Sequence, residues 1–98
     1  MAVVYASIGP VMGAGAPVYA CTPRSANRLN STASSQIITG LQVMSGDYAR
    51  ITSLGGAVSV LIGANPTAVA GAGYVVADGA TLDVGPLSDA DQIAVIDV

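Results

Sequence analysis

Asp47-Tyr-Ala-Arg-Ile-Thr-Ser53, followed by Leu54-Gly55-Gly56 and then Ala57-Val-Ser-Val-Leu-Ile62, is the stretch that decides the fold class. Tyr48, Arg50 and Thr52 fall on one side of an extended chain and Ala49, Ile51 and Ser53 on the other. Val58, Val60 and Ile62 likewise alternate with Ala57, Ser59 and Leu61. A period of two with β-branched residues is the mark of half-buried strands. The Gly55-Gly56 pair between the runs is turn chemistry, so the two are expected to form a β-hairpin.

The same punctuation recurs in both directions. Val3-Val-Tyr-Ala6 starts a strand that Gly9-Pro10 ends, because that dipeptide favours a turn. Gly-rich Met12 to Ala16 reads as a loop, and Pro17 to Thr22 as a second strand closed by Pro23. Polar Ser25 to Ser35 is an edge strand or an exposed loop, and Ser35 to Gly40 a short strand or turn. Beyond Ile62, Gly63-Ala-Asn-Pro66 is a turn, Thr67 to Ala70 a short segment, Gly71-Ala-Gly73 a break, and Tyr74 to Ala77 a strand. Asp78-Gly79 is the strongest short-range hairpin signal in the chain. Thr81 to Val84 is a strand, Gly85 to Ala90 a loop, and Asp91 to Val98 the last strand. No useful window carries the helical repeat of i, i+3, i+4 and i+7. The sum is an all-β chain of about seven to eight short antiparallel strands, a compact β-sandwich or small jelly-roll-like barrel.

With 98 residues the chain fits one domain spanning 1–98, in which residues 1–22 serve either as an arm that adds to a neighbour's sheet edge or as the first two strands of its own sandwich. Apolar residues are 52% of the chain, yet Phe and Trp are absent, so the core must be aliphatic. Charged residues are 9%, three Arg and six Asp, against about 25% in ordinary soluble domains. So little surface charge suits a protein that lives in an assembly. A net charge of −3 without Lys argues against nucleic acid as a partner. The uncharged stretch from Ile51 to Ala77 is interrupted by Gly and Pro, so no membrane span is expected. Val18-Tyr-Ala-Cys21 loosely resembles a lipoprotein cleavage box but lacks the basic segment an export signal needs. Cys21 itself reads as a buried apolar thiol.

Without His, Lys or Glu, triads that need an imidazole cannot be built and Asp is the one acid available as a general base. Asp89-Ala-Asp91 lacks the oxygen ligands of a calcium loop, although Asp78, Asp83, Asp89 and Asp91 have the chemistry to hold an ion if the fold brought them together. Gly13-Ala-Gly15 and Gly71-Ala-Gly73 lack the third glycine of a dinucleotide fingerprint. No catalytic residue, metal ligand or cofactor is assigned, and the chain reads as non-enzymatic. Scarce cations in an acidic chain suit contacts with carboxylates across an interface, and Tyr serves interfaces as well as cores. The interface candidates are therefore Val3, Tyr5, Arg24, Arg28, Tyr48 and Arg50. Each Arg has the competing option of pairing locally with Asp47, and core packing is the first reading of Tyr5, Tyr19, Tyr48 and Tyr74.

Three segments carry a resemblance: Val58-Ser-Val-Leu-Ile-Gly-Ala-Asn-Pro-Thr-Ala68, Gly73-Tyr-Val-Val-Ala-Asp-Gly79, and Asp91-Gln-Ile-Ala-Val-Ile96. This part of the chain, roughly 57–98, resembles the C-terminal half of small virion structural proteins of tailed bacteriophages. The resemblance implies a β-sandwich that decorates or cements a head, with the major capsid protein or other virion proteins as partners. It also implies a homo-oligomer, a trimer being favoured, and a place on the capsid surface after synthesis in the host cytoplasm. A neck, tail or fibre-base component is the alternative within that class. A small carbohydrate- or ligand-binding β module is the alternative from another, and would need a cleft with clustered aromatics and amides.

Overall fold

In the computed structural model, which describes residues 2–12, 18–19 and 22–98, all regular structure is β. The strands are β1 (Val3–Gly9), β2 (Val11–Met12), β3 (Val18–Tyr19), β4 (Ser25–Asn30), β5 (Gln36–Ile37), β6 (Tyr48–Leu54), β7 (Val58–Gly63), β8 (Tyr74–Val76), β9 (Thr81–Val84) and β10 (Gln92–Asp97). Eight of them form two four-stranded sheets, ordered β4-β1-β6-β9 and β5-β10-β7-β8, and β2 and β3 pair with each other. The loop expected over Met12 to Ala16 and the thiol of Cys21 lie wholly or mostly outside the described residues; of the strand expected over 17–22, Val18–Tyr19 is a strand.

Alternation explains the layers. Along β6 the buried residues are Ala49, Ile51 and Ser53, and along β1 they are Val4, Ala6 and Ile8. These faces meet Val58, Val60, Val76, Ile93 and Val95 of the second sheet in one aliphatic core. Ser53 is tolerated there because its hydroxyl donates to the Gly56 carbonyl (2.6 Å). Tyr5, between inward Val4 and Ala6, is forced outward by the same alternation and is 41% exposed; Tyr74, on a short edge strand, is 52% exposed. Core packing therefore fails as a reading of these two tyrosines.

Strand pairing corrects a second expectation. β6 and β7 are not a hairpin: β6 pairs with β1 and β9, β7 with β10 and β8. Nor does Asp78-Gly79 join a hairpin, since β8 lies in one sheet and β9 in the other. Both edges of β6 are already taken, and its apolar face needs a second layer about 10 Å away, so the chain crosses between sheets instead of returning within one. The two crossings are tied together: Gly55 N–H donates to Asp78 Oδ1 (2.9 Å) and Gly79 N–H to the Ser53 carbonyl (2.8 Å).

Read from β4 onward, the pairs β7–β8, β6–β9, β5–β10 and β4–β1 are successive rungs of one long antiparallel hairpin, with alternate rungs in opposite sheets. That is the wiring of a jelly roll, with its eighth strand supplied by β1 at the start of the chain. Val3–Gly9 is thus an interior strand of the first sheet, between β4 and β6. Ser31 joins the two ends. Its hydroxyl accepts from Ala2 N–H (2.8 Å) and donates to Asp97, and its N–H donates to the Ala2 carbonyl (2.7 Å).

Residues 64–73 form a strap over the outer face of the second sheet. Ala68 N–H donates to Ser35 Oγ and Gly71 N–H to Ser59 Oγ, both at 2.8 Å. Beneath it, Ser59 and Ala94 are fully buried although their neighbours Val58, Val60, Ile93 and Val95 face the core.

Candidate functional site: the outer face of the first sheet

The outward residues of β4, β1, β6 and β9 lie in cross-strand rows fixed by register. Val3 sits between Asn30 and Leu54; Tyr5 sits between Arg28 and Thr52, with Thr81 beyond; Ser7 sits between Ala26 and Arg50, with Asp83 beyond; Gly9 stands opposite Tyr48. Side chains directly opposite one another on a sheet face are contacting neighbours. Five of the six interface candidates, Val3, Tyr5, Arg28, Tyr48 and Arg50, therefore share one face. Tyr5, Ser7, Ala26 and Arg28 line an open depression on it together with Ala6 and Asn27.

The charges on this face are arranged unevenly. Arg50 holds Asp83 in a two-bond pair, Nε to Oδ1 at 2.9 Å and Nη2 to Oδ2 at 3.3 Å. Half-exposed as it is, that pair adds little stability. Arg28 has no carboxylate within ion-pair distance among the described residues. Thr52 and Thr81 hydroxyls bond each other at 2.9 Å and offer a neutral polar rim. Tyr48 is half-buried because its ring covers Gly85, where an added Cβ would come within 2.7 Å of that ring.

Arg24 stands apart from the face. It precedes β4 and donates to Asp47 through Nε (2.7 Å) and Nη2 (3.2 Å). Asp47 is buried, 2% exposed, and also accepts the Met44 N–H (3.1 Å). The Arg24 hydrogen bonds hold the Asp47 carboxyl below its ordinary range, outweighing the upward push of burial, and Asp47 in turn raises the Arg24 guanidinium. Arg24 is thus a fastener for the turn before β6.

The four aspartates with ion-holding chemistry do not converge. Asp78 bonds Gly55 at one end of the sandwich, Asp83 pairs with Arg50, and Asp89 accepts Ser45 N–H (2.6 Å) at the other end; Asp91 accepts Ser88 N–H (2.9 Å). Among the described residues no group of three His, Cys, Asp or Glu is placed to hold a metal.

Sequence reasoning missed Ser7, Ala26 and Asn27. Alternation from Tyr5 would have placed Ser7, but Ala26 and Asn27 join the depression only through the pairing of β4 with β1. The face presents an open sheet surface with an aromatic ring, Tyr5, beside a cation, Arg28, and the hydroxyls of Ser7, Thr52 and Thr81 along it. Comparison of the chain with protein-family models, with curated proteins and with solved structures finds no match.

Proposed function

We propose that this chain is a non-enzymatic virion structural protein that decorates or cements a bacteriophage capsid through repeated, symmetric protein contacts. The observation that carries the reading is the gathering of Tyr5, Arg28, Arg50, Val3 and Tyr48 on one solvent-facing sheet surface of a chain with so few charges. Tyr and Arg are the residues over-represented where protein interfaces hold most tightly. The depression beside Tyr5 is open rather than an enclosed cleft, which suits a protein surface better than a buried small ligand. The jelly-roll sandwich is an architecture that viral capsid domains and lectins share. In such a role each copy contributes a modest contact and the shell sums many of them.

Antibody labelling of intact virions that carry the protein tests the reading. Many labels per particle, spread over the head, is the expected result. Label confined to one vertex or to the tail would move the protein to the neck, tail or fibre base. Unlabelled virions together with saturable glycan binding would replace the reading with a ligand-binding module.

A further inference from the structure

We propose that copies of this chain associate head to tail, the outer face of the first sheet in one copy receiving the Asp89-Ala90-Asp91 turn of the next, with Arg28 meeting that turn's carboxylates. The proposal deepens the virion reading and rests on it for the expectation that copies meet repeatedly.

Charge complementarity selects the occupant. Two of the three arginines are satisfied internally, Arg24 by Asp47 and Arg50 by Asp83, which leaves Arg28 as the cation of the face with no carboxylate within ion-pair distance among the described residues. The same chain carries two carboxylates within three residues at the turn after β9, and each is bonded to a backbone N–H, Asp89 to Ser45 and Asp91 to Ser88. Neither has an arginine within ion-pair distance among the described residues. Asp89 is exposed at the end of the sandwich, where it can reach a neighbour.

Symmetry follows from the same charges. A two-fold, face-to-face pairing would set the cationic face against itself, which like-charge repulsion disfavours. A contact between two different patches instead repeats from copy to copy, closing into a ring where the rotation returns to its start and running on as a filament where it does not; the symmetric assembly proposed above calls for the ring. A standard contact buries about 800 Å² per partner. Two per copy would take roughly 1,600 Å² of the 5165 Å² that the chain exposes, and Tyr5 and Leu54 supply apolar area on the face. The second sheet is a poorer choice: its outer face is strapped by residues 64–73, and the exposed Leu61, Val69 and Val75 around the strap carry no charge to select a partner.

Light scattering of the purified chain across a concentration range, with a charge swap, decides the matter. Wild type is expected as a closed oligomer of one fixed mass. Arg28→Asp and Asp89→Arg should each shift it toward monomer with an unchanged far-ultraviolet spectrum, and the double variant should regain the mass. Arg28→Ala, a milder change, should raise the dissociation constant roughly 30-fold or more. Val75→Asp, on the other sheet, should leave the mass as it is. A wild type that stays monomeric would overturn the contact while leaving the virion assignment to the labelling experiment. An oligomer indifferent to Arg28→Asp, or one dissolved by Val75→Asp, would place the contact elsewhere and overturn it as well.

Discussion

Asp47 shows how one side chain ties local sequence to stability. It is buried, yet charged, because Arg24 donates twice to it and Met44 N–H once. Its folded carboxyl titrates below the ordinary 3.8, so in acid the unfolded chain binds this proton more readily than the folded one. The contribution is complete well above that value and is lost as pH falls through the folded pKa. Urea unfolding across a pH series should show wild type losing stability on acidification and Asp47→Asn losing less of it. At neutral pH the variant should be weaker by about 2 kcal/mol, the scale of hydrogen bonds to a charged group. Equal acid sensitivity in the two proteins would mean that the acid dependence arises elsewhere. The pairing itself was half legible: Asp47 is the acid nearest in sequence to all three arginines, but that Arg24 rather than Arg28 or Arg50 reaches it depends on where β4 begins.

Strands and their connections differ sharply in how much the sequence reveals. Alternation separates Tyr48, Arg50 and Thr52 from Ala49, Ile51 and Ser53 along β6, but which side is buried comes from packing. Tyr5 and Tyr48, for which core packing is the first reading, stand on the outer face. That Arg28 stands beside Tyr5 needs the β1–β4 register, which no local pattern encodes. The Gly55-Gly56 and Asp78-Gly79 turns mislead for a related reason. A positive φ, +95° at Gly55 and +77° at Gly79, serves a bend between layers as well as a hairpin. The strap over residues 64–73 was hidden too, since Ala68 and Pro66 are buried only because small Ser59 and Ala94 lie in the sheet it covers. Gly73 pins it, with φ +72° and a position where a Cβ would stand 2.7 Å from the Val60 carbonyl oxygen. Gly73→Ala should cost about 2 kcal/mol, the range for a side chain forced into left-handed backbone. Hydrogen exchange gives the sharper readout: the Ala68 and Gly71 amides, bonded to Ser35 and Ser59, should exchange faster in the variant while β1 and β6 keep their protection. Unchanged exchange at both amides would show that the strap is held without Gly73.

At the scale of the whole molecule, the wrapped-hairpin order makes a demand that pairing in isolated sheets would not. If the rungs β7–β8, β6–β9, β5–β10 and β4–β1 are what organises the fold, the direct chain link from β1 to β4 is dispensable. A link from β10 to β1 should then serve equally well. The ends are placed for it, because Ala2 and Asp97 both bond Ser31. A linker of four Gly and Ser residues, spanning up to roughly 13 Å, bridges that separation without pulling on either strand. A permuted chain that runs from Ala16 through Val98, across the linker to Ala2 and on to Gly15 keeps every rung and changes only the order of synthesis. Such a chain should give the same far-ultraviolet spectrum and a single cooperative transition, with a midpoint a few degrees below wild type for the added loop entropy. It should also form its oligomer with the same dependence on Arg28, since neither the Tyr5 face nor the Asp89 turn is cut. A permuted chain that fails to fold would show instead that β1 must be joined to β4 through its own connection. The first sheet would then form from the β1–β4 pair rather than from the wrapped hairpin as a unit.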